Sequence, residues 1–170
     1  IQAVNTISFI RQKGSLRLVG DNTDVAGFRS SLEKHLGPQH TSALVLGTGG
    51  SSKAVLYTLR QLGIPCIQVS RPPGPNQLAY EELDSRMLAT NPLIIHTTPL
   101  GMYPNVHTCP DIPYKALTPD HLLFDLVYNP AKTEFLSRGE QQGAAGINGH
   151  DMLLLQAEAS WDIWNRLNLK

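Results

Sequence analysis

The 170 residues of this chain, 18.6 kDa in mass, suit one ordinary domain, or one domain carrying a small appendage, and are too few for a complete two-domain enzyme. Hydrophobic residues make up 41% and charged residues 16%, against a usual charged share of about 25%, a globular composition that excludes wholesale disorder. Fourteen Lys and Arg balance fourteen Asp and Glu, and no apolar run approaches the roughly 20 residues of a membrane span, so nothing points to a nucleic-acid or membrane partner.

Cys66 and Cys109 form neither a disulfide framework nor the paired spacing of a zinc site, which fits a reducing, cytoplasmic setting. The opening IQAVNTISFI has no initiator Met and no signal-peptide layout, and is read as the middle of a longer product.

In chain order, residues 3–10 are rich in β-formers, Gln12-Lys13-Gly14 turns, and residues 16–19 return, predicting a hairpin. Thr23 is placed to N-cap a helix bearing Val25, Phe28, Leu32 and Leu36 at helical spacing, and Gly37-Pro38 stops it. From Ser42 onward the texture changes. Residues 43–46, 64–69, 92–96, 122–127 and 144–147 are short apolar runs without period-2 alternation, predicting five strands. Helices are expected after the first run, over 77–88 and over 132–142. Apolar strands separated by helices describe a parallel sheet covered on both faces, a doubly wound α/β fold. The final helix is expected to bury one stripe of Met152, Leu155, Ala159, Ile163, Trp164 and Leu167, leaving Trp161 to face another domain or a partner.

Gly47-Thr48-Gly49-Gly50-Ser51-Ser52-Lys53-Ala54 lies between a predicted strand and a predicted helix, as a dinucleotide fingerprint requires. Glycine lets a pyrophosphate approach the backbone, and the helix start offers free N–H groups. Ser52 stands where the third glycine of that fingerprint would be. At the end of the second strand of the sheet, Val69-Ser70-Arg71 supplies a cation and no acid lies between Ile64 and Gln77. A cation there suits the 2′-phosphate of NADP rather than the ribose hydroxyl of NAD; the alternative is a solvated loop arginine. Gly20-Asp21-Asn22-Thr23-Asp24 is either a capped turn or, with Asn5, a carboxylate site gripping substrate hydroxyls and moving a proton. His96 reads as a satisfied core histidine. His35, His40, His107 and His121 lack i,i+4 pairing, so no metal site is expected.

Ala3-Val4-Asn5-Thr6, the run 20–27, the glycine turn, Thr98-Pro99-Leu100-Gly101-Met102, Asp125-Leu126-Val127-Tyr128-Asn129-Pro130, and Asn148-Gly149-His150-Asp151-Met152-Leu153 with Gln156-Ala157 together resemble the shikimate dehydrogenase family, in that family's order and over nearly the whole chain. The resemblance implies a Rossmann-like doubly wound sheet with helices on both faces, preceded by a hairpin from a truncated substrate domain. The implied division is 1–22 for the hairpin remnant, 23–150 for the NADP-binding domain, and 151–170 for a helix packing back toward the substrate domain.

The implied reaction is NADP-dependent interconversion of 3-dehydroshikimate and shikimate, on the route to chorismate and aromatic amino acids. Asp24 is implied as the catalytic aspartate of a Lys/Asp pair, and Asn5, Asp24, Tyr128 and Gln156 as substrate contacts. Gly47, Gly49, Gly50, Ser51, Ser70 and Arg71 are implied as phosphate and adenosine contacts, and Thr98, Leu100, Gly101, Met102, Val127 and Gly149 as cofactor contacts further along.

The family's lysine and its Ser-x-Ser motif precede the Ala-Val-Asn-Thr strand, and neither Lys13 nor Lys53 matches the lysine, so the chain by itself is expected to be inactive. Pro72-Pro73-Gly74-Pro75 stands where the family continues to a second basic residue, and His150-Asp151 departs from its Gly-Leu-Gly-Met-Leu pattern. A quinate-type relative and a noncatalytic NADP-binding regulatory module are the alternatives. A homodimer is compatible with the chain.

Overall fold

The computed structural model describes residues 1–12 and 14–168, without the side chains of Gln12, Leu167 and Asn168. Strands β1 (Thr6–Gln12) and β2 (Ser15–Asp21) pair antiparallel as a hairpin; Lys13, expected in its turn, lies outside the described residues. Helix α1 (Asp24–Glu33) follows. The sheet is built from β3 (Ala43–Leu46), β4 (Cys66–Val69), β5 (Gln77–Leu78), β6 (Leu93–His96), β7 (Leu122–Asp125) and β8 (Ala145–Ile147), in the spatial order β5-β4-β3-β6-β7-β8, all parallel. Between them run α2 (Gly50–Gln61), α3 (Ser85–Thr90) and α4 (Glu134–Glu140), and α5 (His150–Asn168) follows the last strand.

The central strands are buried along their whole length, which explains their unbroken apolar sequences. Their alternate residues still serve different faces. Leu44, Leu46, Ile94 and Leu123 pack with Leu88, Phe135 and Leu136 on one side. Ala43, Val45, Ile95 and Phe124 pack with Phe28, Leu32, Val55, Leu59 and Met152 on the other, where Phe28 meets Phe124 edge-on at 5.1 Å. The order reverses direction between β3 and β6, and at such a switch point the carboxyl ends of the strands open a crevice suited to a ligand.

The segment 77–88 is not one helix. Gln77 and Leu78 instead extend the sheet beside Gln68 and Val69, a 3-10 turn covers Tyr80–Glu82, and α3 starts only where the Asp84 carboxylate accepts from Met87 N at 2.7 Å. Pairing with β4 outweighs helix propensity here, and a sixth strand results. Thr23 precedes α1, but its hydroxyl makes no capping bond and turns toward Asn5 and Ser160. Trp164 is 44% exposed rather than core, with its indole N–H donated to Ile7 O at 3.2 Å. Leu167, expected on the same stripe, has its side chain outside the described part. Trp161 is 65% exposed, off the buried side of the helix. Among the described residues no helix is long and apolar enough to cross a membrane.

Candidate active site

The glycine turn connects β3 to α2. Gly47 takes φ +114°, a conformation side-chain-bearing residues avoid, and its N–H donates to Val69 O at 2.8 Å. A Cβ there would lie 2.6 Å from Thr97 Oγ1, so the loops after β3 and β6 touch across the switch point. Gly49 and Gly50 differ: a Cβ on either would meet nothing within 4 Å, leaving open space above the first N–H groups of α2. Buried Ser52 donates its hydroxyl to Gly49 O at 2.6 Å, so the residue replacing the third glycine braces the turn.

Three neighbouring cavities run along this edge. The first, about 330 Å³, is lined by Gly47, Thr48, Gly49, Ser70, Arg71, Tyr80, Thr97, Thr98, Pro99 and Leu100. Arg71 sits 5.6 Å above the Tyr80 ring, while the Ser70 hydroxyl is directed at Pro72 O, 2.7 Å away. The second, about 440 Å³, shares Thr97, Thr98 and Pro99 with the first and adds Ser51, Met102, Val127 and Tyr128. The third, about 270 Å³, shares Ser51, Leu126 and Tyr128 with the second and adds Asn5, Asp24, Gly149 and Gln156. The shared residues set the three side by side as a trench of adjoining cavities from Arg71 to Asp24.

The wall between the first two cavities is held from beneath. His96 and Asp125 end adjacent strands, both fully buried, with His96 Nδ1 3.0 Å from Asp125 Oδ1. The same carboxylate accepts from Val127 N at 2.9 Å and Thr133 Oγ1 at 2.5 Å. The other ring nitrogen lies 2.5 Å from Thr98 Oγ1, which also accepts from Leu100 N at 3.3 Å. His96 is therefore a satisfied core residue that orients the Thr98 wall.

At the far end, Asn5 joins the hairpin to α1. Its carbonyl oxygen accepts from Thr23 N at 2.8 Å, and its amide donates to Asp24 Oδ1 at 2.8 Å. Ser160 on α5 lies 2.9 Å from Thr23 Oγ1 and 2.7 Å from Thr6 Oγ1, tying three segments together. Burial pushes the Asp24 carboxyl above its ordinary 3.8, while the bond from Asn5 pulls it down, and burial is the larger effect. Such a carboxyl holds its proton more tightly than a solvated one.

Gly101 lines none of the three cavities, whereas Gly149 lines the third. Gly101 is buried, adopts φ +81° and donates its N–H to Thr108 Oγ1 at 2.8 Å. At Gly149 a Cβ would collide with the Leu126 carbonyl, so this glycine is needed for packing as well as for its place on the cavity wall. Sequence reasoning missed Ser160, Tyr80, Thr97 and the His96–Asp125 bond. Ser160 falls four residues after Gln156 on the same helix face, a spacing that marks it. The others have no local signal. Among the described residues no lysine lines the Asp24 cavity: Lys53 donates to Gln2 O at 3.1 Å, and Lys34 and Lys132 pair with Asp151 and Glu140. No group of three His, Cys, Asp or Glu side chains that could hold a metal ion occurs among the described residues.

No protein-family model matches the chain. The sequence is 36% identical, over 96% of its length, to a shikimate dehydrogenase (NADP(+)) of Desulforamulus reducens, of which it covers 62%. In structure it is similar to a chorismate mutase/shikimate 5-dehydrogenase fusion protein from Clostridium acetobutylicum, with a TM-score of 0.83 and 34% identity over 96% of this chain and 61% of that one. It is likewise similar to a shikimate 5-dehydrogenase from Thermus thermophilus in complex with NADP(H) and shikimate, with a TM-score of 0.76 and 27% identity over 92% of this chain and 60% of that one. The chain thus spans about three fifths of the length of these relatives.

Proposed function

From its 36% identity, over 96% of the chain, to a shikimate dehydrogenase, we propose that the chain belongs to that family and that the whole protein is an NADP-dependent oxidoreductase interconverting 3-dehydroshikimate and shikimate. One observation carries this reading: an arginine-bearing turn, a glycine-lined helix start and a half-buried carboxylate stand along three adjoining cavities that share lining residues. Those are the stations a phosphorylated dinucleotide and a polyol substrate need, in order. The open space at Gly49 and Gly50 fits a pyrophosphate against the start of α2, and Arg71 fits a 2′-phosphate.

In this reading Gly47, Gly49, Gly50 and Ser51 hold the phosphates, with Ser70 and Arg71 at the adenosine end. Thr98, Leu100, Gly101, Met102, Val127 and Gly149 form or support the wall beyond. When bound, the nicotinamide supplies or accepts the hydride. The chain's own residues manage position and protons: Asn5, Tyr128 and Gln156 hold hydroxyls, and Asp24 moves a proton at the carbinol oxygen. Asn5 fixes the Asp24 carboxylate through its 2.8 Å bond. The lysine of the pair is expected from the portion of the relatives that these residues do not span.

The hairpin supports assigning 1–22 to a substrate domain. Ile7, Phe9, Leu16 and Leu18 share one face of the two-stranded sheet and are 51–70% exposed. A hairpin alone is marginal, and an apolar face of this kind calls for cover. The proposed cover is the same unspanned portion, with 23–150 as the nucleotide domain and 151–170 bridging back. The half-buried free thiols of Cys66 and Cys109 suit a reducing cytoplasm. Calorimetry with NADPH and NADH tests the reading. Micromolar binding of NADPH with far weaker NADH supports it, and equal affinity or none refutes it.

A further inference from the structure

Between Arg71 and Gln77 the chain reads Pro72-Pro73-Gly74-Pro75-Asn76, and three prolines remove three backbone donors from a segment outside any regular element. Such a turn needs side-chain anchors. The Gly74 N–H donates to Gln77 Oε1 at 2.8 Å, and Gln77 Nε2 donates to Gln68 Oε1 at 3.0 Å. Gln68 Nε2 in turn donates to Gly47 O at 2.9 Å and reaches Ser52 Oγ at 3.4 Å, the hydroxyl that braces Gly49 O.

The direction of this line is forced at both ends. A carbonyl only accepts, so the Gln68 atom facing Gly47 O must be nitrogen. Gln68 then offers oxygen to Gln77, which must donate, leaving the Gln77 oxygen for the Gly74 N–H. Neither amide can flip without setting like groups against each other, and each bond polarises the next. We infer that Gln68 and Gln77 are positioning residues that lock the turn carrying Arg71 to the glycine turn, so that these two walls of the first cavity keep a set separation. This rests on reading the groove as a nucleotide site.

The test uses the whole chain with Gln68→Leu, Gln77→Leu and the double variant, titrated with NADPH, and follows amide exchange at Gly74. Each single variant is expected to weaken NADPH roughly 3- to 10-fold, the worth of a neutral hydrogen bond. The double variant should lose no more than the worse single, because one break already severs the line. Gly74 exchange should quicken in Gln68→Leu, although Gln68 does not touch it. Losses that multiply in the double variant, or Gly74 exchange unchanged by Gln68→Leu, overturn the coupling. Failure of the unaltered chain to bind NADPH refutes the nucleotide reading instead, and Gly74 exchange then still decides whether the line couples the two turns.

Discussion

Asn5 and Asp24, nineteen residues apart, share a hydrogen bond of 2.8 Å from Asn5 Nδ2 to Asp24 Oδ1. The other atom of the same amide, Oδ1, receives the Thr23 N–H, so a single side chain both closes the hairpin-to-helix junction and aims the carboxylate into the trench. Structure and proposed chemistry meet in that bond, and substitutions can separate them.

Asp24→Asn keeps an acceptor for Asn5 but removes the proton-transfer group. In the complete protein, kcat for shikimate oxidation is expected to fall roughly 10²- to 10⁴-fold. Near-normal turnover would leave Asp24 a purely structural residue.

The same variant carries a pH signature in thermal melts. Burial raises the folded-state pKa of Asp24 above 3.8, so its contribution to stability is fully present below the unfolded value and is lost as pH rises through the folded one. Asp24→Asn should therefore melt at or above wild type at neutral pH. That advantage should shrink as pH falls through the raised value toward 3.8. A gap that widens on acidification contradicts the raised pKa.

Gly49→Val places a branched side chain where the fold has only open space, and the backbone at Gly49 is extended, which valine accepts. The melting temperature should hardly move. NADPH affinity should fall by at least about tenfold, since the occupied space is the proposed phosphate position. Unchanged affinity by calorimetry would remove the glycine turn from the site.

Arg71→Ala discriminates between cofactors. Losing a charge-assisted bond costs on the order of 1.5 to 3 kcal/mol, so NADPH should weaken roughly 10- to 150-fold while NADH changes little. Equal losses for both would assign Arg71 to general packing over Tyr80 instead.

Asp125→Ala strips His96, Thr133 and the Val127 N–H of one buried acceptor. Unmet polar groups at full burial predict a loss of roughly 2 to 4 kcal/mol, a drop in Tm of about 5 to 15 °C. A melt within a degree of wild type would mean that water replaces the carboxylate.

The layered architecture is written locally in the chain. Runs such as Ala43-Leu44-Val45-Leu46 are apolar on every residue because both faces of a central parallel strand are covered, and that is a local signal. The glycine turn was legible for the same reason, since its role depends on adjacent residues. Features that depend on partners distant in the chain emerge only on folding. Gln77 and Leu78 join a strand because Gln68 and Val69 lie beside them, the Thr23 hydroxyl leaves its helix for Ser160, and Trp164 spans to the hairpin instead of the core. Likewise Asn5, Asp24, Tyr128 and Gln156 come to one cavity only when β1, α1, the loop after β7 and α5 pack together. Such contacts impose no periodicity on the chain, because each residue's neighbour is selected by packing rather than by spacing along the sequence.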